Sequence, residues 1–160
     1  MTIIPNVADA STQTTVASID YGIIDRERGA VFTRQTVVDF MLDLIGYHSS
    51  LPLHQNRLLE PSFGGARFLL AAVDRLICGW RAHTSTSNYV ELLDAIRAVE
   101  LDLGTYKSVK KHVREHLGAQ GFPEFEAAKL ADSWLVHGDY LWSNFDGPFD
   151  FVIGNPPYVR

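Results

Sequence analysis

The sequence predicts an α/β fold with strands and helices in alternation, and three observations predict it. Four short apolar runs, Arg57–Leu59, Ile96–Val99, Trp134–Gly138 and Phe149–Ile153, read as strands and are separated by stretches of helical period. The first run enters the turn Glu60-Pro61-Ser62-Phe63-Gly64-Gly65-Ala66, and a helix follows at once. Strand, glycine-rich turn and helix is the opening of a nucleotide-binding α/β unit, in which a glycine backbone comes close to the ligand and free helix N–H groups meet an anion. The chain has 160 residues, 46% hydrophobic and 21% charged, enough for one domain with a real core.

Composition narrows the function classes. No apolar run reaches the roughly 20 residues that span a bilayer, so no membrane role is expected. The N-terminus lacks a basic region followed by an apolar core, which predicts a cytoplasmic protein. Cys78 is the lone cysteine, and no Cys/His spacing suggests a metal. The net charge is −5, without the overall basic balance of a protein that grips nucleic acid alone.

Residues 1–28 read as a polar, partly disordered leader with an ordered stretch around Val16–Ile24, and 29–160 as the domain proper. Thr33 is placed to N-cap a helix whose apolar stripe is Val37, Phe40, Met41, Leu44 and Ile45, with Gly46 as its stop. Apolar residues from Phe68 to Ile77 predict a helix over Arg67–Arg81. Tyr89–Leu93 reads as a helical turn, Tyr106–Leu117 as a helix and Glu124–Asp132 as another. Lys107, Lys110, Lys111 and Arg114 lie on one helical face, which reads as solvated surface in preference to a phosphate patch.

The strand ends carry the chemistry. Glu100 closes the second strand, where a carboxylate with two acceptor oxygens can take both hydroxyls of a ribose. It follows the glycine turn at a greater distance than the roughly 20 residues of dinucleotide folds. Asp139 and Tyr140 follow the third strand, offering an acceptor for an exocyclic amine and a ring to pack on a base. The fourth strand breaks at Gly154 into Asn155-Pro156-Pro157-Tyr158. Two prolines remove two backbone donors and fix two φ angles, leaving a stiff turn that presents one amide and one aromatic ring.

Together these motifs resemble the amino-methylating, adenine-N6 DNA methyltransferases, in particular the methyltransferase part of restriction–modification enzymes. The resemblance runs from about Gly29 to Tyr158 and rests on Val31-Phe32-Thr33, on Leu59 to Gly65, on Val99-Glu100-Leu101-Asp102 and on Asp150 to Tyr158, in the family's order. Asp139-Tyr140 falls in the usual adenine-contacting place. The chain departs from the pattern at Ala66, where the loop's helix-proximal glycine is replaced, and at Arg67 and Arg34.

The resemblance implies a Rossmann-like, S-adenosylmethionine-dependent methyltransferase fold, with about four of seven strands present and the rest expected beyond Arg160. It implies that Thr33 with Glu60, Pro61, Ser62, Gly64 and Gly65 holds the methionine part of S-adenosylmethionine, Glu100 the ribose, and Asp139 with Tyr140 the adenine. It further implies that Asn155 and the Pro156 carbonyl accept hydrogen bonds from the target amine, with Pro157 stiffening the turn and Tyr158 stacking on a flipped base. Double-stranded DNA is the implied partner, through regions outside this chain, and a piece of this extent is expected to be inactive alone. Protein-glutamine and RNA amino-methyltransferases, cytosine-N4 transfer, and a non-catalytic cofactor-binding or interaction module remain as alternatives.

Overall fold

A computed structural model describes residues 33 to 155, so the leader and the residues from Pro156 to Arg160 lie outside the described part. The chain runs through helix α1 (Gln35–Leu44), strand β1 (Leu58–Glu60), helix α2 (Arg67–His83), strand β2 (Ile96–Glu100), helices α3 (Leu103–Ala119) and α4 (Glu124–Trp134), and strands β3 (Leu135–His137) and β4 (Phe151–Val152). The strands form one sheet in the order β3-β2-β1-β4, and every neighbouring pair is parallel. Leu58 pairs with Ile96 on one side and Phe151 on the other, while Ala98 pairs with Leu135. Order and direction match the first half of a doubly wound sheet.

Burial follows from that architecture. All of β1 is buried, as a central parallel strand requires. The largest fully buried side chains include Trp134, Leu58, Leu69, Leu76, Ile96, Leu117 and Leu130. Helix α2 carries ten buried residues and is the main cover of the core. Polar ties join the helices. Arg75 of α2 donates to Asp43 at 2.6 Å and to the carbonyls of Asp39 and Tyr47. Asp74 of α2 receives His116 Nε2 at 2.6 Å and Gln120 Nε2 at 2.7 Å from the α3 end.

Several expected details are corrected. Thr33 does not cap α1: Arg34 holds the N-cap position without a side-chain bond, and the Thr33 hydroxyl is engaged elsewhere. The apolar stripe is turned by about one residue from the expected one. Val38 and Leu42 are buried with Met41 and Ile45 beside them, while Phe40 and Leu44 are 64% and 73% exposed. Gly46 does end the helix: with φ at +79°, it lets the Tyr47 amide reach the Leu42 carbonyl at 2.9 Å and its own amide the Asp43 carbonyl at 3.0 Å. Trp134 belongs to α4 and not to the third strand, because its indole N–H reaches the Leu92 carbonyl at 2.8 Å. The fourth strand is shorter than expected, although the Ile153 amide extends its ladder to the Leu59 carbonyl at 3.0 Å. The basic face of α3 is surface, as expected: Lys110 pairs with Asp132 at 3.0 Å, Arg114 with Glu124 and Lys111 with Glu115.

Candidate active site

In a parallel sheet all carboxyl ends share one edge, so the residues that follow the four strands meet there. The chain moves outward from β1 to β2 and β3, then returns to the other side of β1 as β4. The reversal between β1 and β4 is the switch point at which open α/β sheets take ligands. Glu60 and the glycine turn lie on one side of it and Asn155 on the other. Their loops touch: a Cβ on Gly154 would lie 3.4 Å from the Pro61 ring.

Glu60 is 1% exposed, and its Oε2 has no hydrogen-bond partner among the described residues. Burial first, and then the field of the Glu100 carboxylate, push its carboxyl well above the usual range. Glu100 itself is satisfied on both oxygens: Oε2 accepts the Gly64 amide and Oε1 the Asp102 amide, each at 2.9 Å. The expected ribose acceptor therefore also clamps the glycine turn. A carboxylate offers about four lone-pair positions, so two remain to it after those bonds.

The turn is built by backbone geometry. The Phe63 amide bonds the Val99 carbonyl at 3.0 Å, and the Ala66 amide returns to the Phe63 carbonyl at 2.7 Å. Gly64 has φ at +46° and open space around a Cβ, while Pro61 and Ser62 are half-buried and Gly65 is exposed. Ala66 keeps the left-handed conformation, φ +62°, that glycine adopts at no steric cost. Replacement of the expected glycine thus leaves the bend intact.

Thr33 lies at the site in a role its position before a helix did not suggest. Its hydroxyl receives the Asn155 amide at 3.2 Å, and its carbonyl receives the Arg67 guanidinium at 3.2 Å. With Asn155 Nδ2 given to Thr33, the exposed amide has its Oδ1 to offer as an acceptor. Arg67, noted in the sequence only as a departure, is what ties the start of α2 to the α1 side. At the β3 end, the Gly138 amide bonds the Glu100 carbonyl at 3.0 Å, and Asp139 Oδ1 caps a 3-10 turn through the Leu141 amide at 2.9 Å. Tyr140 is exposed there, next to the solvent-facing side chains of Leu141 and Trp142. Pro156, Pro157 and Tyr158 lie outside the described residues.

The site is an open row of strand ends. A cavity of about 380 Å³ lined by Arg57, Asp94, Arg97 and Phe145 lies elsewhere, beside the amino ends of β1 and β2. The donor set at the carboxyl edge suits a ligand that carries both a cation and a diol. Glu60 offers an unpartnered buried oxygen to the cation, Glu100 has acceptor capacity for hydroxyls, and the glycine turn has room for backbone approach. S-adenosylmethionine has these groups, so the residues present fit it.

The four-stranded parallel sheet with its helices is a Rossmann-like α/β unit, consistent with an incomplete methyltransferase fold. The chain is 53% identical over 134 residues to the Type II methyltransferase M.PaeR7I of Pseudomonas aeruginosa, a match covering 83% of this chain and 23% of that protein. It is 43% identical over 136 residues to the Type II methyltransferase M.XhoI of Xanthomonas vasicola, covering 84% of this chain and 25% of the relative. With the Type II methyltransferase M.BstVI of Geobacillus stearothermophilus the identity is 39% over 141 residues, again 84% and 25% of the two chains. The chain thus spans about a quarter of the length of these curated relatives. No family model matches it, and no solved structure matches it significantly.

Proposed function

We propose that this chain carries the cofactor-holding and amine-accepting part of a restriction–modification DNA methyltransferase, which transfers a methyl group from S-adenosylmethionine to the N6 amine of adenine. The supporting observation is the position of Asn155: one residue past Gly154, across the switch point from the glycine turn, with its amide nitrogen engaged by Thr33. Similarity to three Type II methyltransferases supports the same reading.

When bound, the cofactor supplies an electrophilic methyl group on a sulfonium. The chain's own residues have three tasks. Glu60 to Gly65 and Glu100 hold and orient the donor, with Asp139 and Tyr140 at the adenine end. Asn155 Oδ1, with the Pro156 carbonyl assigned from the sequence, accepts hydrogen bonds from the target N–H groups. An exocyclic amine is a poor nucleophile because its lone pair is delocalised into the ring. Two acceptors favour a pyramidal nitrogen and aim the lone pair along the transfer line. The adenine must leave the duplex to reach them, and the Tyr158 ring is assigned to stack on it. Reading of the DNA sequence is assigned to residues other than these.

The test is transfer of labelled methyl groups to duplex DNA by the full-length protein. Asn155→Ala is expected to lower kcat by about 10²- to 10³-fold, the usual cost of one positioned hydrogen-bonding group, while S-adenosylmethionine affinity stays nearly constant. Digestion of the product identifies the methylated base. N4-methylcytosine would replace the adenine assignment, and label resistant to DNase would replace DNA as the substrate. Full activity in the variant would remove Asn155 from the mechanism.

A further inference from the structure

Glu60 has no counterpart in the ordinary account of a buried acid. Buried carboxylates are normally bonded or ion-paired, since an isolated buried charge costs many kcal/mol. Among the described residues, Glu60 Oε2 has neither a hydrogen bond nor a cationic partner. The charged groups on the surrounding described elements offer it none. Glu100 on β2 is itself an acid, held by two backbone amides, and its field opposes a second negative charge. Asp102 beyond it caps α3 through the Thr105 amide at 2.9 Å. Arg67, at the start of α2, reaches the Thr33 carbonyl. Asp39 and Asp43 of α1 are bound by Arg75 of α2. The described β4 end brings Gly154 and the neutral amide of Asn155, and the β3 end brings the further acid Asp139.

We propose that Glu60 holds a proton while the site is empty and releases it to solvent when a cationic group of the cofactor enters against its unpartnered oxygen. The inference rests on the cofactor reading above and deepens it. A neutral carboxyl is the form that tolerates this burial beside Glu100. An entering ammonium or sulfonium reverses the balance, because the anion then gains an ion pair in a desolvated place. Cofactor uptake is therefore proton-linked. The sign follows from the direction of the shift. At pH below the value of the empty site, the proton must be displaced, so binding tightens by about tenfold per pH unit as pH rises. Above that value the affinity is flat.

The experiment is calorimetry of S-adenosylmethionine binding to the full chain in buffers of different ionisation enthalpy, across pH 5.5 to 8. The expected result is release of up to one proton per ligand on the acid side, falling to zero as pH rises. Glu60→Gln, which keeps the size and neutrality of the empty site, is expected to fold with unchanged melting temperature, bind more weakly at high pH and release no proton. S-adenosylhomocysteine keeps the ammonium and lacks the sulfonium. Release with both ligands assigns the ammonium to Glu60, and release with S-adenosylmethionine alone assigns the sulfonium. Binding without proton release in the parent chain overturns this inference alone, as does release that persists in Glu60→Gln. Absence of any binding overturns the cofactor reading together with it.

Discussion

Tyr47 shows how a single polar atom is tolerated in this core. The ring is buried and meets Phe151 edge to face at 5.1 Å, so it ties the turn after α1 to the outer strand β4. Its buried hydroxyl has no hydrogen-bond partner among the described residues, and that burial pushes its ionisation far above the usual tyrosine range. An unsatisfied buried hydroxyl costs about 1–3 kcal/mol in lost solvation, whereas the ring burial is favourable with or without it. Tyr47→Phe is therefore expected to leave stability unchanged or to raise it by about 1 kcal/mol, read as the midpoint of urea unfolding. A loss above that size would mean that the hydroxyl is bonded in solution. Ala66 makes the complementary point about the backbone. A left-handed φ costs a non-glycine residue about 1–2 kcal/mol, yet the chain keeps an alanine there with its methyl group buried. Methyl burial, worth about 0.8 kcal/mol, offsets much of that strain.

Among the elements, α2 depends on one glycine. A Cβ on Gly79 would sit 2.5 Å from the Leu51 carbonyl oxygen and 3.2 Å from that of Ser49. Both are backbone atoms, so the loop ahead of β1 would have to move. Gly118 of α3, by contrast, has nothing within 4 Å of a Cβ. Helix propensity favours alanine by about 1 kcal/mol at both places. Gly118→Ala is expected to stabilise by about 0.5–1 kcal/mol, and Gly79→Ala to destabilise by about 1–2 kcal/mol because overpacking outweighs propensity. Thermal unfolding of the two variants side by side checks the pair, and equal gains would refute the close approach. The same contrast marks what the sequence makes legible. The strand–turn–helix order was readable because glycine, proline and apolar runs act locally. The facing of α1 was not, because Val37, Phe40 and Leu44 are as apolar as Val38, Met41 and Leu42. The choice between them depends on contacts with other elements: Val38 and Leu42 pack in the core, and Arg75 of α2 bonds Asp39 and Asp43 on the adjoining side of α1. Trp134 reads as a strand residue from the sequence for a similar reason, since its indole partner at Leu92 lies 42 residues away.

At the scale of the whole molecule, the candidate site is also a structural joint. The carboxyl ends of the strands are joined by a run of polar contacts: Asn155 to Thr33, Thr33 to Arg67, Gly64 to Glu100, and Glu100 to Asp102 and Gly138. Residues that the sequence marked as ligand contacts hold each other in place before any ligand arrives. The acids at positions 60 and 100 were legible as strand-tip residues, but their difference was not, because it depends on which backbone amides reach each carboxyl. Glu100 receives two and is anchored; Glu60 Oε2 receives none from the described residues. This division has a measurable consequence. Glu100→Ala removes the acceptor of two backbone N–H groups and is expected to lower stability by about 2–4 kcal/mol as well as to weaken S-adenosylmethionine binding. Glu60→Gln leaves those bonds in place, so its effect is expected on binding and its pH dependence, with stability unchanged within about 1 kcal/mol. Unfolding and calorimetry on both variants separate the two roles. Equal destabilisation by the two substitutions would show that Glu60 is anchored like its neighbour. A loss of affinity in Glu100→Ala without loss of stability would show that the glycine turn is held by the Phe63 and Ala66 backbone bonds alone.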